Sequence, residues 1–482
     1  MRVPEIANPT TALRFVAVGL ILAACALATH LPYVVASDCL DSDAAVVTLM
    51  GRHFARGDML SAFLWGSRYM GALEAWVLVP FVWVGWGRLA GACIAALCLS
   101  AIQVICVARI VRHLRGHVVV AALLAAAPGA AVAYTQTTLY GGRLAATTCS
   151  LLALSIMYGK PTIHRTLVAG LFTGVALFAD HLMIIWAVPI ALAAHRSGTL
   201  KSLVASVTPW IVVERIFYMV TTGPKPGVAD PWEWPRNIKL FLVDGLPMMF
   251  GIDWLAGRRI DFYPPAAGVI WVATSLATVG FAGCAFVWLA RRIRTRQGAE
   301  LFLVPLATAV LFVLAASDIH TTRYLAPAWP SIAILASVAA ARLPALGLLG
   351  AIVAAVNMVL SVQADALHQH GAAAGQSCRA MLAETAKALT DAGVQGVWAN
   401  YWDAYRLGLF MNERMPFAPF AGVDRLHAWS DAVRRAHPVG YLLGDATPPS
   451  LLQQLEQGGR GGRPIQIGSY RLYVVPDSLP ER

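Results

Sequence analysis

Apolar residues fill the first three quarters of the chain in runs of near-spanning length, with polar residues gathered between them. Such runs read as transmembrane helices, because a bilayer core needs roughly 20 apolar helical residues to cross it. The first run covers residues 12–36. Two more follow at 71–86 and 89–110, then others near 118–134, 143–158, 166–179, 182–194, 202–221, 266–290, 300–316, 324–341 and 345–364. After Asp365 the pattern changes to a helical run over 375–393, a short strand VQGVWANY, a segment around 406–411, a strand VGYLLG, a helix over 449–456 and a last strand YRLYVVP. Strands alternating with helices predict a soluble α/β domain. The chain is therefore read as a polytopic α-helical membrane domain over 1–364, followed by an α/β domain over 365–482. About eleven net crossings are expected, the short runs being tilted or packed in pairs.

Composition agrees with that class. Of 482 residues 58% are hydrophobic and only 13% charged, and the mean hydropathy is +0.63, which excludes an ordinary soluble chain. The net charge of +11 sits largely in short loops between apolar runs. There it sets topology and does not point to nucleic acid. Arg2 before the first run and Arg14 at its start place the N-terminus in the cytoplasm as an uncleaved anchor in preference to a signal peptide. If 71–86 and 89–110 both cross, the basic run from Arg109 to His117 falls outside. If together they make one net crossing, with 71–86 re-entrant or interfacial, the basic loops at 160–165, 195–201 and 291–296 all fall inside. On that count loops 37–70 and 222–265 and the tail domain are extracytoplasmic. Trp232, Trp234 and Trp254 of the second loop suit the headgroup interface. The eight cysteines show no metal spacing. Cys39 and Cys378 alone lie in extracytoplasmic parts and could form a disulfide, though separate thiols are the preferred reading.

The chemistry is concentrated on one side. In SDCLDSDAAVVTLMGRHFARG, Asp43, Val46, Val47, Met50 and Phe54 recur at helical spacing, with Ser42 placed to cap the helix. Asp43 thus points down with an apolar stripe, where a carboxylate is costly without a role or a partner. Other polar residues at membrane depth or span ends are Arg68, Glu74, Arg143, Asp180, His181, His320, Arg323 and Tyr324, all on the external side. Intramembrane ionisable groups are functional candidates. One carboxylate among Arg and Tyr donors suits a reaction in which a hydroxyl loses its proton while a phosphate departs. A phosphate at the membrane face belongs to a lipid. The bland alternatives are a snorkelling Arg323 and hydrogen-bonding histidines. His181 and His320 could instead join Glu74 around zinc or manganese, but no ligand spacing supports it.

DSDAAVVTLMGRHFARG with the later YMGALEAW, and TRYLAPAWP in a late span, resemble the acidic-loop and RYL-P motifs of the GT-C glycosyltransferases. Within them the chain is similar to the bacterial branch related to the protein O-mannosyltransferases and the lipid A aminoarabinose transferase. ANYWDAYRL resembles a tail pattern of close bacterial relatives without an assigned role. The resemblance implies a polyprenyl-phosphate (undecaprenyl-phosphate) sugar donor and transfer, with inversion, to a hydroxyl of a glycolipid, polysaccharide or protein. It also implies an inner-membrane location with the tail domain in the periplasm, covering or selecting the acceptor. Asp43 matches the first residue of the family's acidic pair and so its catalytic base, while the second acidic position is Ala44. Asp41 is a secondary acidic candidate, a solvated carboxylate being preferred for it. Arg323 and Tyr324 are the lipid-phosphate binders, with Arg143, Arg68, Tyr69, His181 and His320 as further substrate contacts. Glu74 either touches substrate or pairs with Arg68 or Arg143. No cofactor is assigned, and a divalent metal is left open. A lipid-linked sugar flippase would also hold a phosphate among helices, but no inverted repeat is evident; a non-catalytic envelope scaffold is the third reading.

Overall fold

The computed structural model describes residues 30–31, 34, 42–67, 70–128, 130–159, 162–221, 229–245, 283, 298–315, 324–367, 372–444, 447–457 and 463–479. The helices of the first part are α1 (Ser42–Arg56), α2 (Leu73–Trp83), α3 (Leu89–His113), α4 (Val118–Ala126), α5 (Ala130–Thr137), α6 (Arg143–Met157), α7 (Ile163–Ala179), α8 (Ile184–Arg196), α9 (Leu200–Val220), α10 (Trp234–Leu240), α11 (Leu303–Ala315), α12 (Trp329–Ala340) and α13 (Pro344–Leu367). Among the described residues, α3 and α9 are long and apolar enough to cross a bilayer alone, and the others are shorter apolar helices. Ile105, Leu171, Ile211, Met219, Leu306 and Leu348 stand exposed on outward faces. Exposed apolar side chains spread over several helices form a surface suited to lipid.

Two segments differ from a simple chain of spans. The 71–86 run forms only the 11-residue α2, with Pro80 inside it. At about 16 Å long it is too short to span on its own. Trp83 and Trp86 are exposed at its end, as interfacial tryptophans are. The single span expected over 118–134 breaks into α4 and α5. Pro128 has no N–H to give the Leu124 carbonyl four residues back, and its ring cannot continue the helix. The Trp329 indole N–H donates to that carbonyl instead, at 2.8 Å. Of the run over 266–290, only Gly283 is among the described residues.

The tail domain comprises α14 (Ala372–Asp391), β1 (Gly396–Asn400), α15 (Tyr401–Phe410), β2 (Phe417–Ala421), α16 (His427–Arg435), β3 (Val439–Leu443), α17 (Pro449–Gln457), β4 (Ile465–Ile467) and β5 (Tyr470–Val475). Its five strands lie in the order β2-β1-β3-β5-β4. β1 pairs in parallel with β2 and β3, through the crossovers α15 and α16, and β5 runs antiparallel to β3 and β4. Central β3 is buried throughout, which is why VGYLL reads as a continuous apolar run. Cys378, in α14, is disulfide-bonded, whereas Cys93, Cys98, Cys106 and Cys149 are free; Cys39 lies outside the described residues.

Among the described residues, one apolar core runs across the two parts. Ala44, Val47 and Met50 of α1 and Leu78 of α2 belong to the same apolar core as Tyr405 and Leu407 of α15 and Leu442 and Leu472 of the sheet.

Candidate active site

α1 is the element on which the site is built. Every residue from Ser42 to Gly51 is buried, not only the stripe through Asp43, Val46, Val47 and Met50. One face lies on α2, so closely that a Cβ on Gly51 would stand 2.8 Å from a Leu78 methyl. The tail domain's α15 packs on α1 as well. Asp43 is 6% exposed. Its Oδ1 accepts a short hydrogen bond from the Tyr401 hydroxyl and lies 3.4 Å from Arg425 Nη2. Arg425 Nε donates to the Tyr401 oxygen at 3.2 Å, and Nη1 reaches the Trp65 carbonyl at 3.5 Å. Ser42, expected to cap α1, donates its hydroxyl to the Tyr401 carbonyl at 2.6 Å.

Tyr401 is delivered there by local geometry. Asn400 caps α15, its side chain accepting from the Asp403 N–H at 3.1 Å, so the helix starts at Tyr401 and aims its first ring at α1. Burial, and then the negative charge of Asp43, push the Tyr401 phenol well above its ordinary value; Arg425 only partly opposes them. The hydroxyl therefore keeps its proton and acts as a donor. Arg425 is fixed from behind, its backbone N–H donating to the Tyr405 hydroxyl at 2.6 Å. The ANYWDAYRL motif, without a role in the sequence, thus supplies a direct partner to Asp43. Arg425 has no such motif, and only the fold finds it.

The far end of α1 is tied to the tail domain by charge. Glu413 meets Arg52 at 3.6 Å, His53 at 2.8 Å and Arg56 at 3.5 Å. Asn412 and Glu413 both adopt left-handed backbone, with φ of 54° and 61°, which places this carboxylate at the helix. Burial alone would raise Glu413, but the hydrogen bond and charge of His53, with Arg56 and Arg52, outweigh it and hold the carboxyl below its ordinary 4.5. A carboxyl depressed by folding stabilises the native state above its unfolded value, and that contribution is lost as pH falls through the folded value. Acidification below about 4.5 should therefore loosen the tail from α1. Limited proteolysis of wild type and Glu413→Gln across that range checks it. The wild type should become cleavable with acid, whereas the variant should show less of this dependence and be looser at neutral pH.

A hairpin links this cluster to a second one. Phe63 bridges Gly71, Met70 bridges Asp180, and the Gly71 N–H donates to Ala179 O at 2.9 Å. Any Cβ on Gly71 would stand 2.8 Å from the Ala179 Cα, so only glycine permits this approach. Just beyond, Glu74 is wholly buried and accepts from the backbone N–H groups of Gly141 at 2.8 Å, Leu144 at 2.7 Å and Ala145 at 3.3 Å. It therefore caps the N-terminus of α6 across space, and of the alternatives read for it the pairing with Arg143 is not formed. Those donors, at the positive end of the helix dipole, satisfy its carboxyl oxygens. Arg143 instead donates from Nε to Asp180 Oδ2 at 2.9 Å, and its guanidinium lies 4.2 Å from the centre of the Tyr324 ring. Beside them is a small pocket of about 20 Å³, lined among others by Gln103, Gln136, Arg143, Leu144 and Pro327, in which Gln136 Oε1 has no hydrogen-bond partner among the described residues. Arg143 and Tyr324, two of the candidate residues, are thus brought together.

His181 pairs with Glu214 at 3.1 Å, and Glu74 is taken up by backbone, so these two are not joined as metal ligands. Among the described residues no group of three His, Cys, Asp or Glu side chains is placed to hold a metal ion. Asp41, Arg68, Tyr69, His320 and Arg323 lie outside the described residues.

No protein-family model matches the chain, and no curated protein matches it in sequence. Solved structures match in fold. ArnT of Cupriavidus metallidurans in its apo state superposes with a TM-score of 0.60 at 13% identity, over 97% of this chain and 98% of ArnT. The same enzyme bound to undecaprenyl phosphate gives 0.60 at 13% identity, over 94% and 97%. The oligosaccharyltransferase of Archaeoglobus fulgidus, also without ligand, gives 0.54 at 10% identity, over 92% of this chain and 70% of its own. Both neighbours are GT-C glycosyltransferases. From α1 to the tail sheet, the chain shares the fold of these two neighbours.

Proposed function

We propose that the protein is a membrane-embedded glycosyltransferase that moves a sugar from a polyprenyl-phosphate donor to an acceptor hydroxyl on the extracytoplasmic side. The observation that carries this reading is the near full-length fold match to ArnT, one form of which holds undecaprenyl phosphate. A disulfide at Cys378 is in keeping with an oxidising compartment for the tail domain. In the proposed reaction Asp43 takes the acceptor hydroxyl's proton as that oxygen attacks the anomeric carbon. The bond from that carbon to the phosphate oxygen breaks, the configuration inverts, and polyprenyl phosphate leaves with the electron pair. Arg143, steadied by Asp180 and Tyr324, together with Arg323, offers guanidinium charge to the departing phosphate.

The test is transfer by the purified full chain in detergent, offered a panel of radiolabelled polyprenyl-phosphate sugars and total envelope extract. Label reaching an acceptor supports the reading and names the donor. A folded protein that binds polyprenyl phosphate but moves no sugar would overturn it in favour of a flippase. Arg143→Ala should raise the apparent KM for the donor more than it lowers kcat. An unchanged KM would remove Arg143 from the phosphate site.

A further inference from the structure

We infer that the tail domain completes the catalytic site, Tyr401 and Arg425 being positioning residues that hold the Asp43 carboxylate in its working orientation. This rests on the transferase reading above. A carboxylate on a helix turns about its last side-chain torsion unless something holds it, and a base works only when its lone pair faces the proton it takes. Here the holding groups come from the other end of the chain. The planar fork of Arg425 serves three acceptors from its three nitrogens: Tyr401 Oη at 3.2 Å, Asp43 Oδ1 at 3.4 Å and Trp65 O at 3.5 Å. The Tyr401 hydroxyl accepts from that cation and donates to the carboxylate, so charges on both sides align its O–H. Side-chain exposures of 8% for Asp43 and 11% for Arg425 keep most water from competing.

The support behind these groups is itself ordered. The Tyr405 hydroxyl accepts the Arg425 N–H and donates to Asp424 Oδ1 at 3.3 Å, and Asp424 Oδ1 also accepts the Leu426 N–H at 3.0 Å. The Tyr405 ring stacks on Trp429 at 6.3 Å. An interface needed only for adhesion would be served by the apolar core that the tail already shares with α1 and α2. A relay of cation, hydroxyl and carboxylate between the loop at Arg425 and the start of α1 does something adhesion does not require. It makes the base's orientation depend on the docked tail.

The experiment is a double-mutant cycle in the full chain, read by transfer from the donor identified above. Tyr401→Phe should lower kcat about tenfold or more, the worth of a hydrogen bond to a charged group, with donor KM unchanged. Arg425→Gln should lower it further, and Arg425→Lys should restore part of the loss. In an Asp43→Asn background, followed by single turnover, Tyr401→Phe should cost nothing more, because it acts through the carboxylate. An unchanged kcat in Tyr401→Phe would overturn the inference. So would an equal fractional loss with and without the Asp43 carboxylate, which would mark a structural contact. A faster Tyr401→Phe enzyme would also overturn it, by showing that the hydroxyl occupies the acceptor's place. If wild type transfers no sugar, the transferase reading falls and this inference with it; active wild type with unaffected variants removes this inference alone.

Discussion

Asp43→Asn in the full chain should lower sugar transfer by about a hundredfold to ten-thousandfold, the usual worth of a positioned general base, without unfolding the protein. Asparagine is isosteric and keeps a side-chain oxygen that can accept from Tyr401, so the docking of α15 on α1 survives. What it loses is the ability to take a proton. Initial rates of labelled-sugar transfer, with melting and protease resistance as controls, check it. Near-wild-type transfer by a folded Asp43→Asn protein would end the role of Asp43 as base and leave it an interface carboxylate.

Glu74→Ala should have the largest effect on stability. Three backbone N–H groups at the start of α6 lose their acceptor in a place that water does not reach, for Glu74 is 0% exposed. Leaving buried donors unpaired costs about 1–3 kcal/mol each, so a total of several kcal/mol is expected. Glu74→Gln, which retains one acceptor oxygen, should recover much of it. Thermal melting in detergent distinguishes the three proteins. If Glu74→Ala melts like wild type but fails in transfer, the carboxylate serves substrate and its contacts to α6 are incidental.

The helices of the first part were legible because apolar runs advertise themselves: 143–158, 202–221 and 345–364 each lie within a residue or three of α6, α9 and α13. The expectation failed where one proline decided the backbone, at Pro128. In the tail, β1, β3, β5, α14 and α17 could be read from their patterns. β2 could not, since FAPFA contains Pro419, tolerable because β2 is an edge strand. Nor could β4, three residues with two exposed, or the strongly polar α16. Within the site, Asp43 stood out because a carboxylate in an apolar stripe is anomalous. Tyr401 and Arg425 did not, because a tyrosine and an arginine in a soluble domain are ordinary until folding brings them to Asp43. Glu74 was noticed for the right reason, burial, but its partners are main-chain groups, which leave no mark in a sequence.

The shared core of α1, α2, α15 and the tail sheet has a consequence for how the molecule opens. Composition changes abruptly near residue 365, yet cooperativity need not follow composition. Groups that share one apolar core tend to exchange their amide hydrogens as one unit. The amides of α1 should therefore become exposed together with those of β1 and β3, and independently of α9, which the core does not include. A proteolytic cut between α13 and α14 would then release no free-standing domain. It would leave a nicked protein whose two chains stay together until α1 itself comes undone.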